Sequence, residues 1–287
     1  MEKKIKALLL KAELLHWLCQ KELYYRKVDE LRRECVRERD EAERAERSFF
    51  AKLRGNYEER FGKEKAEAIK IQLELERIEK VLADAEERIP ALKEMLQEDF
   101  SFEEDFTGEE KELSDWCTFM ERAYEVIALT NKCLEEGWAE RTRSYSNPGN
   151  LENCIVFQED VEELYRRMDG FLSMVGRVRY LPGIRVEHKQ FLQRNKRTTY
   201  FGGKTLVFLR KGYATVQIDL HELDFKNLWG GWAVGDALER KLKEIELLEK
   251  LFSGITKEYL LMGEELRRKV KMNGYHVPEK DIFGFEK

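Results

Sequence analysis

Proline is scarce in this chain, with four in 287 residues. Few helices are therefore forced to end, because proline removes a backbone donor and clashes with the preceding turn. Histidine is equally scarce. His16, His188, His221 and His276 lie far apart in sequence. The cysteines, Cys19, Cys35, Cys117, Cys133 and Cys154, are odd in number and contain no CxxC. A disulfide framework and a zinc site are both disfavoured, and small apolar core residues in a reducing compartment are the expectation. Long apolar runs are missing too, since none approaches the roughly 18 residues that span a bilayer. Lys3, Lys4 and Lys6 before Ala7–Leu10 resemble the start of a signal peptide. Lys11 and Glu13 then interrupt the run, and no small-residue cleavage site follows. The expectation is a soluble, cytoplasmic protein with no membrane contact. No GxSxG, Walker, EF-hand, HEXXH or Rossmann fingerprint occurs, so the residues give catalysis no support and imply no cofactor or metal.

What is abundant is charge. Asp, Glu, Lys and Arg make up 38% of the chain, well above the usual quarter. Sixteen Phe, eleven Tyr and five Trp supply too much apolar area for a disordered chain. This is the composition of long helices with solvated outer faces.

The first segment, from Glu2 to about Arg54, reads as one very long helix. Leu10, Leu14, Trp17 and Tyr24 begin a seam that Val28, Leu31, Cys35, Ala42, Ala45 and Phe49 continue. From Arg32 to Arg47 almost every residue off the seam is charged, with i,i+4 pairs such as Asp29/Arg33 and Asp40/Arg44. Such a stretch can bury only a narrow stripe, and the stripe is thin, with Glu38 in it. Gly55-Asn56 and Gly62 break the pattern. A second helix then steps by threes and fours through Ala68, Ile71, Leu75, Ile78, Leu82, Ala85, Ile89, Leu92 and Leu96, a coiled-coil repeat. An antiparallel hairpin with the first segment is expected, with Pro90 kinking or interrupting the second helix.

Thr107-Gly108-Glu109-Glu110 has the form of a capping box before a third helix. Leu113, Trp116, Met120, Ala123, Ile127, Leu134 and Trp138 give that helix a wide core face. After a loop around Asn147-Pro148-Gly149, a fourth helix is expected from about Gln158 to Val175. Beyond Gly176 the pattern changes. Val178–Val186 can hold a short strand interrupted by Pro182-Gly183. Thr205–Leu209 and Tyr213–Leu220 predict a hairpin about Lys211-Gly212, with Val207 opposite Val216 and Leu209 opposite Ala214. After Trp229-Gly230-Gly231-Trp232 a last long helix carries Leu238, Ile245, Phe252, Tyr259 and Leu266 at seven-residue spacing and stops at Asn273-Gly274. The expected fold is mainly α: a coiled-coil helical bundle with a projecting antiparallel helical hairpin and a small inserted β-hairpin unit. Its parts are a helical hairpin at 1–98, a bundle core at 99–176, a basic β-hairpin and loop insert at 177–232, and the last long helix and tail at 233–287.

Charge is distributed unevenly. Between Gly176 and Val216 stand Arg177, Arg179, Arg185, Lys189, Arg194, Lys196, Arg197, Lys204, Arg210 and Lys211, opposed only by Glu187. The segment carries +9 in a chain of net −5, which leaves −14 on the rest. Tyr180, Phe191, Tyr200, Phe201 and Tyr213 interleave with these bases. Bases neutralise phosphates and rings stack on nucleobases, so these basic residues, with Tyr200, are the candidate site for nucleic acid or another polyanion. The competing use of the same charge is docking on acidic helices, its own or a partner's, in a structural assembly protein. Homo-oligomerisation through the heptad helices is the further partner expectation.

Two chemical motifs are weaker. Gly202-Gly203-Lys204-Thr205 is like the end of a phosphate-binding loop, but Thr198 stands where a glycine is needed and a strand, not a helix, is expected to follow. Glu187 and Lys189 have the Glu-x-Lys spacing of some metal-dependent nucleases, with Asp169 the nearest upstream acid. A cryptic nuclease is accordingly a third reading, behind the binding and assembly readings.

Overall fold

The computed structural model describes residues 2–47, 57–96, 106–146, 152–175, 184–189, 203–210, 213–221 and 231–272. Mainly helical, it runs α1 (Glu2–Arg47), α2 (Tyr57–Met95), α3 (Gly108–Ser146), α4 (Glu152–Val175), β1 (Ile184–Lys189), β2 (Gly203–Arg210), β3 (Tyr213–His221) and α5 (Gly231–Met272). The chain divides into two compact units, one of Met1–Leu15 with Phe102–Lys287 and one of His16–Ser101.

In the His16–Ser101 unit, α1 and α2 run in opposite directions. Arg88 lies over the Trp17 ring at 4.9 Å, Lys27 pairs with Glu74, and the Cys35 thiol donates to Gln72 at 2.9 Å. Between those levels Val28, Leu31, Leu75 and Ile78 are buried together, with Tyr24, Cys35, Ile71 and Leu82 packed on them. Each is a seam residue of the three-four repeat, so one stripe of each helix supplies the whole core. Of the two effects expected of Pro90, a kink or an interruption, the interruption does not occur: the helix continues to Met95. Pro90 is on an exposed face, where the carbonyl that loses its donor can bind water.

In the other unit, α1 buries Ile5, Ala7, Leu8, Leu9, Leu10, Ala12 and Leu15, while Lys3, Lys4 and Lys6 stay exposed. Four consecutive buried residues, Ala7–Leu10, cover a full turn, which places that turn inside a core. The sequence reading grouped 1–98 as one hairpin, whereas Met1–Leu15 cluster with the later helices. Lys11 pairs with Glu121 of α3 at 2.8 Å, and Glu13 pairs with Arg267 of α5. Burial pulls the Arg267 guanidinium down to about 10.

Helices α3 and α5 pack antiparallel at close range because two glycines make room. A Cβ on Gly263 would stand 2.1 Å from the Trp116 ring, and one on Gly137 would stand 2.6 Å from both Leu242 and Phe157. The Trp116 indole N–H donates to the Tyr259 carbonyl at 2.7 Å. Around it Phe119 meets Phe171 at 5.0 Å and Tyr259 at 4.3 Å, and Phe171 meets Phe252 edge-on at 5.5 Å. Helix α4 begins at Glu152, earlier than expected, and buries Cys154, Phe157, Val161, Leu164, Met168 and Phe171.

The strands form one antiparallel sheet in the order β1-β2-β3, and β3 lies against α5. Strand β1 begins at Ile184, and the earlier part of the expected interrupted strand, 178–183, lies outside the described residues. The expected pairing of Val207 with Val216 is corrected. Val207 pairs with Gln217, Phe208 with Val216 and Leu209 with Ala214. The shift between Phe208 and Leu209 leaves Thr215 as the extra residue of a bulge, which a straight two-residue alternation cannot anticipate.

Candidate binding surface

Strand alternation divides the sheet into two unlike faces. The rows Ile184–Phe208–Val216 and Val186–Leu206–Ile218 share one face, which is apolar by sequence. The rows Arg185–Val207–Gln217, Glu187–Thr205–Asp219 and Lys189–Gly203–His221 share the other. Ile184, Val186, Val216 and Ile218 thus fall on the first face, and Arg185, Glu187, Gln217 and Asp219 on the second.

Four residues of the expected polyanion site fall on these strands. Arg185 and Lys189 share the polar face, with Glu187 between them. Lys204 pairs with His188 on the opposite face, and alternation along β2 puts Arg210 on that same side, at the far end of the strand. The strands thus divide their four bases between two faces. Arg177, Arg179, Arg194, Lys196, Arg197, Tyr200 and Lys211 lie outside the described residues. Glu187 and Lys189 share a face, as a nuclease reading needs, and Asp169 belongs to α4. The residues from Gly203 are strand, so the helix N-terminus that a phosphate-binding loop requires does not follow Lys204-Thr205.

No protein-family profile, curated protein or solved structure matches this chain.

Elsewhere, polar side chains are tied into local networks. Lys241 of α5 is wholly buried, donating to the Tyr165 hydroxyl at 3.0 Å and to Glu244 at 2.6 Å. Arg141 reaches Glu239 at 2.6 Å, and Lys243 holds the other oxygen of that carboxylate at 2.9 Å. These two bonds hold the Glu239 carboxyl below its ordinary range. Lys132 donates to both Asp160 oxygens, at 2.8 and 2.9 Å. Beside them burial, and then the hydrogen bond to Asp160, raises the Glu136 carboxyl. Glu38, Glu41 and Glu64 bring carboxylate oxygens within 4.8 Å of one another. Arg37 supplies a cation to two of them, donating to Glu38 at 2.9 Å and lying 3.9 Å from Glu41.

Cys19, Cys117, Cys133 and Cys154 are buried. Burial raises all four thiols above their ordinary value, Cys133 to about 12. A thiol held protonated is a poor nucleophile and a poor metal ligand. The sequence reading missed Lys241 and the glutamate trio. Glu38 was visible as an acid on an apolar seam, whereas Lys241 falls in a run of alternating charges that resembles any solvated helix face.

Proposed function

We propose that this chain is a non-catalytic binding protein whose basic, aromatic segment 177–213 contacts a polyanion, nucleic acid being the polyanion that interleaved rings suit best. The observation that carries the reading is the concentration of +9 on that segment against −14 elsewhere. Supporting it, Arg185 and Lys189 fall on one sheet face and Lys204 and Arg210 on the other, so each face of the sheet offers basic residues. The acidic helices would repel nucleic acid and confine it to this segment. Salt-dependent binding of labelled single- and double-stranded oligonucleotides tests the reading. Affinity should fall steeply with salt, by about tenfold or more between 50 and 200 mM, as counterions are released. Replacing Arg194, Lys196 and Arg197 together with Ala should weaken binding without changing the unfolding midpoint. Wild-type protein that ignores both oligonucleotides at low salt would remove the proposal.

A second reading is that of a coiled-coil assembly protein, with the antiparallel α1–α2 pair as a partner-binding arm. It is favoured by Val36, Ile69 and Leu73, which stay half exposed or more on that pair. Under this reading the triple substitution lowers stability or disrupts oligomers, because acidic helices lose their counter-charge.

A further inference from the structure

Along α5, Leu248, Phe252, Ile255, Tyr259 and Leu266 are buried in the core. The opposite face is exposed, and its centre is Gly254. A glycine in a helix interior is unfavourable, second only to proline. Gly137 and Gly263 owe their place to neighbouring side chains, but a Cβ on Gly254 would meet nothing within 4 Å. Contacts within the chain therefore do not explain it. Gly62 and Gly170 are equally open, yet neither lies midway between exposed leucines. Gly254 does: Leu247 and Leu261 stand seven residues to either side, 46% and 69% exposed.

Nearest Gly254 the charges on this face have a complementary order, and the like pair Arg240 and Arg268 lies fourteen residues out at its ends. Lys250 and Glu258 are equidistant from Gly254, as are Lys243 and Glu265. All four are exposed. We propose that this face of α5 is a self-association surface on which a second copy of the chain crosses antiparallel, with the twofold axis at Gly254. In that arrangement Leu247 meets Leu261 of the second copy, Lys250 meets its Glu258 and Lys243 meets its Glu265, each pair occurring twice. The missing side chain at Gly254 lets the two backbones approach at the crossing point, as Gly263 lets Trp116 approach α5. A parallel crossing would set lysines against lysines and glutamates against glutamates. The existing partners of Lys243 and Glu265, Glu239 and Lys269 one turn away at 2.9 and 3.0 Å, are exposed i,i+4 pairs that exchange at little cost.

This inference is independent of the polyanion reading, and its test contains no nucleic acid. Sedimentation equilibrium of the full chain at low salt should show a monomer–dimer equilibrium in the range of roughly 1 to 500 µM, as suits a small interface. Gly254→Gln should weaken the dimer about tenfold or more, since a side chain at the crossing point separates the helices, while helicity by circular dichroism is retained. Lys250→Glu alone should weaken it by about tenfold, and Lys250→Glu with Glu258→Lys should restore it, because the reversed pair is again complementary across the twofold. A wild-type chain that is monomeric throughout that range would overturn the proposal. So would a Gly254→Gln chain that dimerises like wild type, or a double reversal as weak as the single.

Discussion

Helix α5 and the α1–α2 pair both carry apolar residues in three- and four-residue steps, yet they bury them differently. Around Phe252 and Tyr259, α5 is enclosed by aromatic rings from α3 and α4, with glycines where backbones and rings come closest. Around Leu31 and Ile78, the pair buries one stripe, flanked by the ion pairs Lys27–Glu74 and Arg32–Glu79. The same periodicity thus serves a helix that buries one broad face and one that buries a single narrow stripe. What separates them is what packs on the seam: aromatic rings of α3 and α4 in one case, a single second helix in the other.

The largest loss should come from the enclosed region. Trp116→Ala removes a fully buried indole and its bond to the Tyr259 carbonyl, and should cost roughly 3–5 kcal/mol in urea unfolding. A cost near zero would mean that the α3–α5 contact is not close-packed. Next comes Ile78→Asp, which puts a charge on the buried stripe of the α1–α2 pair, where Ile78 is 1% exposed. It should cost about 3 kcal/mol or more.

A pH-dependent effect follows in size. His16 is buried, shares a 3.1 Å hydrogen bond with Gln20 and meets the Trp17 ring edge-on. Burial first, and Arg88 second, lower its pKa from 6.5 to about 4. Because the unfolded chain takes up this proton at higher pH than the folded one, the contribution is fully present above 6.5. It is lost as pH falls through about 4, and is worth about 3 kcal/mol. Urea midpoints taken from about pH 7.5 to pH 4.5 should fall further for wild type than for His16→Gln, which cannot be protonated. Parallel curves would remove His16 as the cause. The smallest effect is expected at Glu79→Ala, one residue from Ile78. Its pair with Arg32 is exposed, so the change should stay within about half a kcal/mol. Equal midpoints for Ile78→Asp and Glu79→Ala would break the contrast between seam and flank.

Much of the helical framework was readable from residue order. The stepping of Ile71, Leu75, Ile78 and Leu82 names the stripe that α2 buries, since a helix projects residues three and four apart onto one face. The apolar run at Ala7–Leu10 is readable too, but in sequence it resembles the start of a signal peptide, with only Leu10 on the seam, and its burial shows only in the fold. The Thr215 bulge was not readable, because a one-residue slip leaves the same alternation in each strand and appears only when the strands are paired. Of the candidate site, the charge of the 177–213 segment was plain. The division of Arg185 and Lys189 from Lys204 and Arg210 needed the register.

Local order by itself determined which stretches are helical, which stripe of each is apolar and where the positive charge concentrates, because periodicity and charge are properties of neighbours in the chain. Only the tertiary structure decided that Lys241 is buried with Tyr165 and Glu244, that Gly263 admits Trp116 while Gly254 admits nothing, and that Met1–Leu15 join the later helices. Each of those depends on which residue from a distant part of the chain arrives alongside, and a side chain's burial is set by that neighbour as much as by its own chemistry.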